Sequence, residues 1–353
     1  MGIWGNPVLI GKREKGYVHF YSTDNESFTI KRTGSASWGS NASVQMQYST
    51  DAQTWQNWKP TTTLTISNGH LYLRGVGITK LNGGYSPIFT LGGNSTSIRC
   101  DGNIETLLDY QTVLNLEHPT MDANCFQSMF NGQSKLISPP SLPTTTLSNS
   151  CYMSMFQDCV NLESAPKLPA TTLTEYCYEE MFRGCTSLTT APALPATALA
   201  GYCYRYMFEG CTSLTTAPAL PATALATSCY EYMFQNCTSL TVPPALPATG
   251  ESYARSFASM FKGCTSLTRL PLTYLSYYSS FCCASMFENC TGVGLWTTSG
   301  EGHTYEYRIP ASGSSSGQSN WGGGMFSGTA GDAGTIERNH TYYTNAEPVA
   351  AYS

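Results

Sequence analysis

Apolar positions in the middle of the chain recur at a fixed distance. Met-Phe pairs place Met129, Met155, Met181, Met207 and Met233 26 residues apart, Met260 after 27 and Met286 after 26, with a degenerate copy ending the series at Met325. A period of this size marks a solenoid, whose units bury their apolar faces only against one another. Within one unit Leu199, Cys203, Met207 and Cys211 are spaced by four, with Tyr204 and Phe208 beside them. That spacing predicts an amphipathic helix from about Ala198 to Glu209. Thr145, Thr171, Thr197, Thr223 and Thr249 stand where its N-cap would be. Two residues after each Phe comes Gly132, Asp158, Gly184, Gly210, Asn236, Gly263, Asn289 or Gly328. These residue types accept the left-handed conformation of a helix C-terminal cap. Leu214 and Ala217 then predict a short strand, whose pairing must stop near the recurring proline, here Pro218. Strands repeat at about 4.8 Å and packed helices at about 8 to 10 Å. An array of both must therefore bend, with strands inside the arc and helices outside.

The flanks read differently. Between Tyr17 and Asp101, short alternating runs (YVHFYS, SFTIKR, SVQMQYS, TLTIS, HLYLRG, SIRC) separated by turn residues predict a small β-sandwich. Asn68-Gly69 between Thr63–Ser67 and His70–Arg74 predicts a β-hairpin. Residues 102–124 read as a short amphipathic link closing one end of the array. Beyond Trp296 the period fails; TYEYRI and HTYYT predict capping strands around the Ser/Gly-rich loop Gly313–Gly324.

The pattern Met-Phe-x-Gly/Asn-Cys-x-x-Leu, followed by the proline-bounded strand of Leu214 to Pro221, resembles the BspA-type leucine-rich repeats of bacterial surface proteins and gut phage genomes. The resemblance covers residues 119–296 and departs from the commoner 23-residue unit by its length. It implies adhesion to host or neighbouring cell surfaces, without catalytic residues. The expected fold is therefore mixed β and α/β. It comprises a β-sandwich and linker (1–118), a curved leucine-rich-repeat solenoid of 26-residue strand-helix repeats (119–296), and a C-terminal cap (297–353).

Composition narrows the chemistry. The net charge is −5, charged residues make up 12% and no basic run occurs, which argues against a nucleic-acid partner. Neither a secretory signal nor a membrane span is read in the sequence. Twelve of the fourteen cysteines fall into two columns, Cys125, Cys151, Cys177, Cys203, Cys229 and Cys282, and Cys159, Cys185, Cys211, Cys237, Cys264 and Cys290. Such columns fit buried thiols rather than zinc ligands or disulfides. Ser49–Trp55 resembles the aspartate-box hairpin of sialidases, one residue short and present once; that box is a structural turn. Leu246–Gly250 matches a sortase motif, but LPATA occupies the same place in the preceding copies, so it is an accident of the repeat. The five histidines are scattered, and no nucleophile triad, phosphate loop or paired carboxylates emerge.

A surface rich in Thr, Ser, Asn and Tyr suits sugar and protein contacts, although Tyr152, Tyr178, Tyr204 and Tyr230 also read as core. The expected function is non-enzymatic recognition of a cell-surface protein or glycan by a protein displayed on a phage particle or bacterial surface. The expectation includes no cofactor, no metal and no membrane insertion, with a larger assembly as a further partner. A structural spacer or fibre component and, third, a glycan hydrolase are the alternatives. Because Cys185–Ala200 and Cys211–Ala226 are identical, specific contacts are expected in the diverged parts. The candidate ligand residues are Thr190 and Thr216 on the presumed inner face, Arg269 and Tyr274 in the terminal units, and Trp321 in the loop.

Overall fold

The structure, a computed structural model, describes residues 16–33, 44–59, 61–67, 69–81, 84–247, 253–271, 279–309, 322–337 and 339–349. Its N-terminal part holds β1 (Val18–Ser22), β2 (Phe28–Arg32), β3 (Gln45–Ser49), β4 (Gln56–Asn57), β5 (Leu64–Ile66), β6 (His70–Val76), β7 (Phe89–Gly93) and β8 (Ile98–Asp101). A six-stranded sheet runs β4-β3-β6-β1-β8-β9, where β9 is Leu136–Ser138, and a three-stranded sheet runs β5-β2-β7. Alternation along β1, β6 and β8 sends Val18, Phe20, Leu71, Leu73, Ile98 and Cys100 inward. There Phe20 meets Phe89 of the smaller sheet edge to face, with ring centres 6.4 Å apart. Asn68 lies outside the described residues, but the expected pairing of Thr63–Ser67 with His70–Arg74 is not made. β5 pairs with β2, while β6 pairs with β1 and β3, so the chain crosses between sheets there. Gly69, at φ +114°, supports the crossing with a backbone that side chains rarely adopt.

Among the described residues the only α-helix is α1 (Thr106–Leu114), which packs on β6. The strand-helix solenoid and the leucine-rich-repeat fold are therefore contradicted. The Met-Phe segments are runs of turns, because every fourth residue is left-handed: Ser150, Ser154 and Asp158; Tyr176, Glu180 and Gly184; Tyr202, Tyr206 and Gly210; Ser228, Tyr232 and Asn236. One left-handed residue per turn breaks the i to i−4 bonding that an α-helix needs. Gly210 and its equivalents do have the left-handed conformation read from the sequence, but they end no helix.

Backbone donors divide in alternation. Arg205, Met207 and Glu209 N–H groups donate to the carbonyl three residues back. Tyr204, Tyr206, Phe208 and Gly210 donate instead to Cys229, Glu231, Met233 and Gln235 of the next copy, at 2.8–3.1 Å. In each four-residue turn two neighbouring positions face inward, here Cys203 with Tyr204 and Met207 with Phe208. Copies consequently stack in layers. Phe130, Phe156, Phe182, Phe208, Phe234, Phe261 and Phe287 form one column with ring centres 5.5–5.7 Å apart. Tyr152, Tyr178, Tyr204 and Tyr230 form a second, fully buried column.

The proline-bounded segments pair even more briefly than expected, through single bridges such as Thr190 to Thr216 and Thr216 to Val242. With turns in place of helices, both sides of a copy repeat at one hydrogen-bonded spacing. The mismatch that required an inner and an outer arc is gone.

All fourteen cysteines are buried and none is in a disulfide. In the second column the thiols of Cys159, Cys185, Cys211, Cys237, Cys264 and Cys290 donate to the carbonyls of Phe130, Phe156, Phe182, Phe208, Phe234 and Phe261, at 2.9–3.1 Å. Burial pushes the Cys159 and Cys290 thiols up to about 12, away from the reactive thiolate.

The layers join both ends of the chain. β9 of the first copy pairs parallel with β8, and Phe130 packs against Phe20 and Phe89. At the other end Phe326 extends the Phe column, 5.0 Å from Phe287. Tyr307 closes on Phe326 from a sheet ordered β11 (Leu295–Trp296), β13 (His340–Thr344) and β12 (Tyr305–Ile309). β10 (Arg269–Pro271) pairs parallel with β14 (Glu347–Val349).

Candidate functional site

The six-stranded sheet turns its outer face toward a cleft of about 1080 Å3, just above the usual range for ligand sites. Strand alternation puts Tyr17, His19 and Tyr21 of β1 and its approach on this face, with His70, Tyr72 and Arg74 of β6 and Arg99 and Asp101 of β8. Antiparallel register sets His19 opposite both Tyr72 and Asp101. A second wall comes from the proline-bounded segments of the first two copies, with Pro139, Pro140, Pro143, Pro166 and Pro169. Proline has no backbone N–H, so that wall offers few donors beyond Lys167 and its serines.

Three rings form a stack at the centre. The His19 imidazole lies 4.4 Å from Tyr72, nearly parallel, and 4.8 Å from Tyr21. Its edge is fixed from both sides, since Nδ1 lies 3.0 Å from Asp101 Oδ1 and Nε2 lies 2.8 Å from His70 Nδ1. The carboxylate accepts a hydrogen bond from Nδ1–H, and the ring's other nitrogen, Nε2, then accepts from His70 Nδ1–H. Burial raises the Tyr72 phenol above its ordinary value, with Asp101 adding to the effect. Beside the stack, Arg74 lies 4.0 Å from both the Trp55 and the Tyr110 ring centres, and its Nε donates to Gln47 Oε1 at 2.8 Å. The site is therefore an aromatic platform edged by hydrogen-bonded polar groups. Two of the wall serines are committed elsewhere: the Ser138 and Ser141 hydroxyls donate to the carbonyls of Cys100 and Gly102.

Trp55 is held by the turn at Ser49–Trp55, which links β3 to β4. Asp51 Oδ1 accepts from the Ser49 hydroxyl and from the Gln53 and Thr54 N–H groups, at 2.7–2.8 Å, and these bonds hold the carboxyl well below the usual carboxylate range. The resemblance to an aspartate box thus corresponds to a structural turn.

Of the candidate residues read from the sequence, none of the three described ones lines the cleft. Thr190 and Thr216 are exposed and bridged to each other, on copies that present no inner arc. Arg269 is exposed on β10 and its Nη2 lies 2.6 Å from Glu347 Oε2, a tie to β14. Tyr274 and Trp321 lie outside the described residues. Tyr152, Tyr178, Tyr204 and Tyr230 are core. Sequence reasoning missed His19, His70 and Tyr72, whose signal was the polar-aromatic alternation in Tyr17-His19-Tyr21 and His70-Tyr72-Arg74. Among the described residues no cluster of His, Cys, Asp or Glu could hold a metal ion, and no helix is long and apolar enough to cross a membrane. No family model, curated protein or solved structure matches the chain.

Proposed function

We propose that the chain is a non-enzymatic recognition protein whose sheet-face cleft binds a saccharide of a cell surface, the protein being displayed on a virion or a bacterial surface. The observation that carries this reading is the Tyr21–His19–Tyr72 stack, locked by Asp101 and His70 at the centre of the cleft. Saccharides present flat C–H faces and rims of hydroxyls. Aromatic rings meet the first, and fixed polar edges of either hydrogen-bonding sense meet the second. Little ordering is required on binding, because the rings are already held by neighbours, and preorganisation lowers the entropic cost of association. The stacked layers supply the second wall through Pro139 to Pro143 and Ser164 to Pro169, and further copies extend the molecule away from it.

A glycan array probed with the full chain, followed by titration of the best saccharide against the Tyr72→Ala variant, tests the reading. Tyr72→Ala should weaken binding about tenfold or more, the scale of a lost stacking platform. Absence of any saccharide binding, or an unchanged affinity in that variant, would overturn it.

A further inference from the structure

Resting on the saccharide reading, the charges around the cleft narrow the ligand class. Lys167 reaches the cleft from the proline wall, exposed, and makes no hydrogen bond or ion pair with any described residue. Arg99, half-buried, lines it from the sheet; one guanidinium nitrogen lies 3.4 Å from Glu163 Oε2, a contact that occupies one of its five donors. The one carboxylate among the lining residues, Asp101, is engaged by His19. The protein as a whole carries 23 acidic against 18 basic residues, whereas the cleft lining itself holds two cations and one carboxylate, with Glu163 against Arg99 just outside it.

We propose that the cleft selects an anionic saccharide, whose carboxylate or sulfate is held by Lys167 and Arg99 while its ring packs on the tyrosine-histidine stack. The planar guanidinium fork suits a two-oxygen contact, and the ammonium supplies a mobile point charge from the other wall. Two cations in one cleft of an acidic protein also draw an anion in while repelling none of its hydroxyls.

The test uses the full chain and three oligosaccharides: one of alternating uronic acid and N-acetylhexosamine, its carboxyl-reduced neutral form, and a sulfated neutral form. Calorimetric titration should show the uronic-acid ligand binding about tenfold or more tighter than its reduced form, with affinity falling as salt rises. Lys167→Ala and Arg99→Gln, each checked for an unchanged melting temperature, should abolish that preference by weakening the uronic-acid ligand more than its reduced form. A sulfated ligand that binds as well as the uronic acid, with the same sensitivity, identifies negative charge as what is read; a weaker one identifies the carboxylate. Equal affinity for acidic and reduced forms would overturn charge selection while the saccharide reading stands. Binding of poly-glutamate as tight as that of the uronic-acid ligand would overturn the selection of a saccharide. If none of the three binds while the glycan array yields a neutral saccharide, charge selection is overturned and the saccharide reading stands; an array that yields no saccharide overturns both.

Discussion

Gly184 and Gly210 occupy the same place in consecutive copies, both at φ +71°, yet they are not equivalent in their neighbours. Above Gly184 stands Asp158, so a Cβ added at Gly184 would run into its carboxylate, whereas the nearest atoms to a Cβ on Gly210 belong to Gly184, at 3.8 Å. Gly210→Ala should therefore cost only the left-handed backbone penalty, about 1 kcal/mol, and Gly184→Ala more than that. Urea denaturation of the two variants, side by side, measures the difference; equal losses would show that the Asp158 side chain moves aside freely. The same place in the sequence was legible as left-handed from residue type alone, because only Gly, Asn and Asp occur there. Which copy is tight against its neighbour was not legible, since that depends on the pair of residues one layer apart.

At the scale of the element, the period was read correctly and assigned to the wrong backbone. A helix advances about 100° per residue, so positions four apart drift by about 40° each step. A strict run of fours without threes, as in Leu199, Cys203, Met207 and Cys211, fits a turn of four residues better than a helix of 3.6. The misassigned hairpin has a similar cause: Asn68-Gly69 signals a reversal of direction, but nothing local says whether the next strand returns to the same sheet. That error hid the site, because it paired β6 with β5 and so never set Tyr72 opposite His19. Charged columns have the same layer logic. Glu179, buried, is paired with Arg205 of the next copy, and Glu231 follows Arg205 in the copy after that, itself paired with Arg255. Burial raises the Glu179 carboxyl and Arg205 opposes the rise. Deleting the copy Cys203–Ser228 would keep the layer register but remove Arg205 and bring Glu231 against Glu179. A carboxyl whose folded pKa is raised contributes stability fully present below its unfolded value, about 4.3, and lost as pH rises through the folded value. The deleted chain should thus melt well below the intact one at pH 7 and approach it near pH 4. Deleting Cys177–Tyr202 instead leaves Arg205 beside Glu231 and should show a weaker pH dependence. Thermal melts of both across that range decide it.

For the whole molecule, the cleft draws its walls only from the sheet and the first two copies, so either deletion should leave saccharide affinity unchanged; a loss would place recognition in the later layers. The stack that follows the cleft is held layer to layer by short-range bonds, and each layer spends the same 26 residues. Seen as a mechanical object, it is a chain of fuses of equal length. Pulled by its ends, each layer that lets go would release 26 residues, or roughly 90 Å of extended chain at about 3.5 Å per residue, before the next bears the load. Single-molecule stretching should show force peaks at that repeat across the copies from Cys151 to Asn236, and one broad rupture in place of the series would mean that the layers yield together. A tether that lengthens in equal steps absorbs a sudden tug without freeing whatever is gripped at its far end.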